Sequence, residues 1–248
     1  MCARKILYQS KSKFNDILVT QEGNILTLYS PPRTRQTTIG TLNPTSSHLE
    51  YARNILLGLV FTLNPKNILM LGLGGGSIPM MLTNFNKLLS IDIVEIDPEI
   101  ADVAKKYFHF KTSRRIRLFI KDAFEFIKDS KNRYDIIIMD AYLGNDLPQP
   151  LSTVEFFKEA DRCLVDRGIL IVNLMTTDKV YFKKMLKKIS SVFSEIWMLD
   201  GNTSSNTIIF AMNRNFSRIG IMRNALCQKR NFPSDYPFLK LIWRIGKL

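Results

Sequence analysis

Three acids in this sequence stand at or near the ends of short segments that read as strands. Glu95 lies near the end of Leu89 to Ile96, Asp122 just past Arg117 to Ile120, and Asp140 directly after Ile136 to Met139. Ile136 to Met139 reads as an apolar central strand, and the ligands of open α/β sheets bind at the carboxyl ends of the strands. At that edge Glu95 can accept hydrogen bonds from ribose hydroxyls, and Asp122 can accept one from an exocyclic amine such as that of adenine. Asp122 also stands at the entry to a helix, so it reads equally as an N-cap. Asp140 emerges from the central strand and is the leading functional residue.

The stretch that must position these acids starts with Ile68 to Leu71, a first apolar strand. Gly72, Gly74, Gly75 and Gly76 follow, and a helix begins at once. Without Cβ atoms the glycines let the backbone turn tightly and approach a ligand. The helix N-terminus would present free N–H groups beneath it. Glu95 comes about 20 residues after the glycines, the spacing of a nucleoside-binding unit. Gly72, Gly74 and Ser77 nearly fit GxGxxG, which keeps NAD open, whereas ATP held by a phosphate loop is disfavoured because no GxxxxGK[ST] occurs.

Composition sets outer limits. With 248 residues, 46% of them apolar and 23% charged, the chain is an ordinary globular protein with room for one large α/β domain and an appendage. Its N-terminus has basic residues but no continuous apolar core, so no secretory signal is expected, and a reducing cytoplasm is the natural home. Cys2, Cys163 and Cys227 are too few and too scattered for a disulfide framework or a cysteine metal cluster, and no metal is expected. The net charge of +13 is compatible with a nucleic acid or an anionic membrane as partner, and equally with plain solubility.

Residues 4 to 40 read as a small β unit, with strands at Lys5 to Tyr8, Asp16 to Thr20 and Ile25 to Tyr29, ended by Pro31 and Pro32. Exposed strands of this unit could pair between subunits of a homodimer. Asn43 to Ser47 offers turn and cap residues for a helix from about His48 to Thr62. His109 sits among Tyr107, Phe108 and Phe110 and reads as a partly buried structural histidine. The loop from Ala141 to Pro150 is long for an α/β connection and would lie over the crevice as a lid. A lysine-rich helix from Asp178 to Ser190 should turn Val180, Phe182, Met185, Leu186 and Ile189 to the core. Ser194 to Leu199 and Thr207 to Met212 form a closing antiparallel hairpin. The tail from Asn213 carries FLKLIWRIGKL, which either docks on the domain or meets a membrane surface or partner.

The predicted layout is therefore α/β: a mostly parallel seven-stranded sheet with an antiparallel last strand, preceded by a small N-terminal β unit. That is the class I methyltransferase-type, Rossmann-like arrangement, and it shifts the expected ligand from NAD to an S-adenosyl sulfonium. The expected divisions are residues 1–63, 64–212 and 213–248.

Over about residues 14 to 212 the chain resembles the spermidine synthase (polyamine aminopropyltransferase) family. LGLGGGS is similar to its glycine segment, VEIDP to its ribose-binding acid, DA to its adenine-side pair, and YDIIIMD to the strand ending in its catalytic aspartate. The β unit followed by Gln36 and then by Tyr51 on a helix resembles that family too. The resemblance implies decarboxylated S-adenosylmethionine as donor, held by Gln36, Gly72, Gly74, Glu95, Asp122 and Ala123. It implies a putrescine-like amine as acceptor, held near Tyr51, Tyr142 and Asp146, with Asp140 as base. Two family acids are absent: Gly75 stands in the glycine segment and Leu143 three residues after Asp140. Asp146, in the lid, is the candidate to replace one of them. Intact S-adenosylmethionine and methyl transfer to an amine or nucleic acid form the alternative, and an inert nucleoside-binding homologue is a third.

Overall fold

Side chains alternate along a strand between its two faces, and in the central strands of this protein both faces are apolar. A computed structural model describes residues 3–30, 34–142, 147–229, 232 and 237–248. Ile68, Met70, Ile136, Ile138, Ile169 and Ile171 enter one core, while Leu69, Leu71, Ile137, Met139, Leu170 and Val172 enter another on the opposite side. Each such side chain is worth about 1.5–3 kcal/mol on burial, which commits these runs to the middle of a sheet covered on both faces.

The parallel strands are β6 (Asn67–Leu71), β7 (Ser90–Glu95), β8 (Ile116–Ile120), β9 (Tyr134–Met139) and β10 (Leu164–Met175), ordered β8-β7-β6-β9-β10. The chain order reverses direction beside β6, and the crevice opens at that switch point. Beyond β10 lie the antiparallel β12 (Asn206–Met212), then β11 (Glu195–Asp200), then β13 (Gly246–Lys247). Among the described residues the sheet thus has eight strands rather than seven. The extra one is a two-residue pairing of the tail against Trp197 and Met198.

Helices α4 (Ala123–Asp129), α5 (Val154–Arg162) and α6 (Lys179–Ser190) cover one face. On the other pack α1 (Glu50–Ile55), α2 (Ser77–Phe85), α7 (Arg218–Gln228) and α8 (Phe238–Arg244). The tail is held there by Ile221, Ala225, Phe238, Leu241, Ile242 and Ile245, all buried. Among the described residues no helix is long and apolar enough to cross a membrane. Arg117, from the basic block, is turned to structural use: its guanidinium grips buried Asp92 at 2.6 and 2.8 Å, and Tyr134 completes the pairing. A buried charge requires such partners.

The N-terminal unit is a five-stranded antiparallel meander: β1 (Lys5–Lys11), β2 (Asp16–Glu22), β3 (Ile25–Ser30), β4 (Thr34–Gly40) and β5 (Asn43–Ser47). Its Ile17, Val19, Leu26, Leu28 and Ile39 share a third core with Ile100, Val103 and Phe108 of the segment around α3 (Pro98–Tyr107). Polar contacts fix the same junction. Ser12 and Asn15 donate to Asp97 Oδ2, and Tyr8 and Ser10 donate to Glu99.

Several local expectations are corrected. Gln36 lies within β4, and Asn43–Ser47 forms β5 rather than a helix cap. The helix expected from His48 to Thr62 is α1 followed by a 3₁₀ segment, Leu56–Phe61, in which every residue is buried. A Cβ on Gly58 would overlap the Ile171 side chain, so the segment packs tightly on β10. His109 is exposed at φ 61°, as a corner after α3, while Phe108 and Phe110 on either side are buried. Val180 at the start of α6 is 76% exposed, because Met185 and Ile189 define the buried side.

Candidate active site

The glycine segment turns beneath the ends of β7 and β9. Gly72 takes φ 92° and donates its N–H to Val94 O at 2.8 Å. A Cβ there would overlap the carbonyl of Asp140, so only glycine lets the two strand ends meet. Gly74 and Gly76 also have positive φ, and Gly76 occupies the N-cap of α2. Gly75 N donates to Thr37 Oγ1 at 2.9 Å. A Cβ on Gly75 would lie 2.8 Å from Thr37 Cγ2 and 3.0 Å from the Phe108 ring. The space an acid would need at this position is therefore filled by β4 and the end of α3.

Glu95, the last residue of β7, is nearly fully buried. Its Oε2 accepts Leu73 N at 2.9 Å and its Oε1 accepts Asp97 N at 3.0 Å. Burial pushes its carboxyl above the ordinary range, and these backbone bonds hold it back. Each oxygen keeps acceptor capacity for a ligand hydroxyl. Asp122 caps α4 through Oδ1 alone, which accepts Phe124 N at 2.8 Å and Glu125 N at 3.1 Å. The cap reading is thus correct, and it leaves Oδ2 for a ligand donor. Ala123 opens α4 beside it.

Asp140 follows β9 and is half-buried. Burial raises its pKa to about 7, with a hydrogen bond from Asn173 opposing. Asn173 Nδ2 donates to Asp140 Oδ1 at 2.8 Å, and Tyr142 OH donates to the Asn173 carbonyl at 2.6 Å. Tyr51, on α1, donates to the Gln36 carbonyl at 3.0 Å. Burial, then the nearby charges of Asp140 and Tyr142, hold its phenol well above the ordinary value, so it stays protonated as a donor.

Gln36, Gly72, Gly74, Glu95, Asp122, Ala123, Asp140 and Tyr142 line one cavity of about 260 Å³. Tyr51 stands behind Gln36 rather than in that lining. Asp146 and Leu143 lie outside the described residues. Phe14 and Asn15 of the β1–β2 turn and Leu28 and Ser30 of β3 also line the cavity, as do Pro148, Pro150 and Leu151 after the loop. The sequence offered no sign that the β1–β2 turn and β3 would reach the site. Asn173 was missed although a signal existed: it is a lone amide inside GILIVNL, 2% exposed.

The chain is similar to known proteins over most of its length. Residues 51–211 match the spermine/spermidine synthase domain. A polyamine aminopropyltransferase of Vibrio vulnificus is 34% identical over 215 residues, which cover 84% of this chain and 72% of that protein. An eEF1A lysine and N-terminal methyltransferase of Bos taurus is 28% identical over 179 residues, covering 65% of this chain and 26% of its own. Among solved structures, spermidine synthase from Thermotoga maritima superposes with a TM-score of 0.78 at 18% identity, over 96% of this chain and 82% of its own. The chain is a transferase that belongs to the spermine/spermidine synthase family.

Proposed function

We propose that this protein transfers an aminopropyl group from decarboxylated S-adenosylmethionine to a small-molecule amine. The observation that carries the reading is one cavity with Glu95 and Asp122 on the nucleoside side and Asp140, its pKa raised to about 7, at the other strand end. Glu95 accepts the ribose hydroxyls, the Gly72 to Gly74 turn lies against the sulfonium arm, and Asp122 Oδ2 with Ala123 meets the adenine. Gln36 borders the transferable arm. Tyr51, Tyr142 and Asp146 are assigned to the acceptor.

An amine attacks carbon only through a free lone pair. Asp140 attracts the ammonium, takes its proton, and holds the nitrogen near the carbon next to sulfur. The new N–C bond forms as the C–S bond breaks. The electron pair stays on sulfur, methylthioadenosine leaves, and the proton remains on Asp140. A carboxyl titrating near neutrality is well matched to this exchange. Residues 64–212 would carry the donor site, residues 1–63 the cover over it and residues 213–248 a support for the sheet. The cytoplasm is the setting this chemistry implies.

Methyl transfer from intact S-adenosylmethionine is the second reading, favoured by one observation. At Gly75 no carboxylate opposes the donor's own, and Thr37 and Phe108 fill the space of one. Likeness to the eEF1A methyltransferase agrees with it.

Calorimetric titration with S-adenosylmethionine, its decarboxylated form and methylthioadenosine, on the native protein and Glu95→Ala, separates these readings. Tighter binding of the decarboxylated donor, lost in the variant, is the expected result. Preference for the intact donor moves the assignment to methyl transfer, and binding of none of the three overturns both.

A further inference from the structure

Asp140 is oriented by a chain of amides. Asn173 Nδ2 donates to Asp140 Oδ1 at 2.8 Å, and Asn206 Nδ2 donates to Asn173 Oδ1 at 2.9 Å. Asn206 opens β12 opposite Met175 of β10, and neither amide lines the cavity. An amide has one donating and one accepting end. If the Asn173 side chain turned over, its oxygen would face the carboxylate of Asp140 and its nitrogen would face that of Asn206. Both contacts would then be mismatched.

We infer that Asn206 is a positioning residue for the proposed base: by donating to Asn173 it keeps the amino end of Asn173 on Asp140 Oδ1 and leaves Oδ2 for the amine. This rests on the reading of Asp140 as the group that takes the amine's proton. The hairpin that carries Asn206 is anchored for the task. Gly201 N donates to Asn206 O at 2.8 Å, and Thr176 N donates to Ser205 O at 2.7 Å. Glu50 accepts the N–H groups of Asn202 and Thr203, each at 2.7 Å, and Glu50 precedes Tyr51 on α1. The far end of the amide chain is therefore fixed to the helix whose next residue faces Asp140.

The titratable groups around Asp140 do not duplicate this control. Tyr51 from α1 and Tyr142 from the segment after β9 face it, and Glu95 and Asp122 line the same cavity. No Lys, Arg or His is among the described lining residues. The donated bond from Asn173 favours the ionised carboxylate against burial. Removing it must move Asp140 upward in pH.

Asn206→Asp keeps the side chain's size but replaces the donor with an acceptor, which turns the Asn173 amino group away from Asp140. Asn206→Ala removes the donor and adds no charge. The test follows the 13C carboxyl resonance of Asp140, identified by its absence in Asp140→Asn, together with the pH profile of kcat. In Asn206→Asp the midpoint should rise by about one pH unit or more, a tenfold loss of ionised Asp140 below it. In Asn206→Ala the rise should be smaller and of the same sign. The kcat limb should move with the resonance, and KM for the donor should change less than about twofold. Unchanged midpoints in both variants overturn the inference. A shift in Asn206→Asp with Asn206→Ala at the native value also overturns it, since charge at a distance would then suffice. The resonance needs no turnover, so loss of the proposed function and loss of this inference are read separately.

Discussion

The two ends of the cavity are built differently. At the proposed nucleoside end each acid is held by the backbone beside it: Glu95 by Leu73 N and Asp97 N, Asp122 by Phe124 N and Glu125 N. At the proposed reacting end Asp140 is held by side chains brought from far along the chain, through Asn173 on β10 and Asn206 on β12. These backbone partners come with the single β6–turn–α2–β7 unit and with the turns that open α3 and α4. Side-chain partners exist only once the sheet has closed. A family can therefore retain the first end as a unit while the second is free to change.

The largest effect that would break this contrast is at Asp140. Asp140→Asn should lower kcat/KM by roughly 10²- to 10⁴-fold, the contribution of a positioned general base. Binding of methylthioadenosine should change less than about threefold, because the nucleoside end is untouched. With Asp140 titrating at about 7, native kcat/KM should fall tenfold per pH unit below that value and level off above it. The variant should lose that limb. A variant that weakens nucleoside binding as much as turnover would show that the two ends are not separable.

Glu95→Ala comes next and should act at the other end. Charge-assisted hydrogen bonds to the ribose are worth about 1.5–3 kcal/mol each, so donor affinity should fall by about 100-fold or more. The variant also strands the N–H groups of Leu73 and Asp97, and the glycine turn should loosen. A loss of under about fivefold in calorimetry would remove Glu95 from the ribose.

The same contrast explains how far the sequence could be read. Apolar runs such as Ile68 to Leu71 and Ile136 to Met139 announced the sheet, and Glu95, Asp122 and Asp140 its carboxyl edge, because strand period and acid position are local facts. The closing hairpin was legible from DGNTSSN between two apolar runs. The entry of Phe14, Asn15 and Ser30 into the cavity was not. It depends on how a separate meander docks on α3 through Asp97 and Glu99, and those acids look like an ordinary N-cap and an ordinary first-turn residue. Asn43–Ser47 departs from its local signal for a related reason. Asn, Pro, Thr and Ser favour turns and caps locally, but pairing with β4 made them an edge strand. His109 was misread because its aromatic neighbours are buried while its own backbone turns a left-handed corner.

A smaller effect sharpens the comparison at the boundary between the two ends. Gly75→Asp restores the type of residue the family carries there, yet the new side chain would press on Thr37 Cγ2 and the Phe108 ring. Overpacking of this kind costs about 1–3 kcal/mol, read as a lower midpoint in denaturant with unchanged slope. No gain in affinity for the decarboxylated donor should accompany it. A neutral change that strengthens that donor would mean the space is open and the family's acid was lost without replacement.

The smallest effect belongs to Asp122, where cap and ligand are separable because they use different oxygens. Oδ1 accepts both capping N–H groups, at 2.8 and 3.1 Å. Asp122→Ser keeps an N-cap acceptor of similar worth, so stability should stay within about 0.5 kcal/mol. The serine hydroxyl is committed to the helix and too short to serve the adenine as well, so donor affinity should fall about fivefold to tenfold. Asp122→Ala loses both functions, at about 1 kcal/mol of stability for the cap. If Asp122→Ser binds donor as the native protein does while Asp122→Ala merely unfolds more easily, the residue is a cap and nothing else. The adenine would then be held by backbone alone, and the nucleoside end would be still more local than its acids suggest.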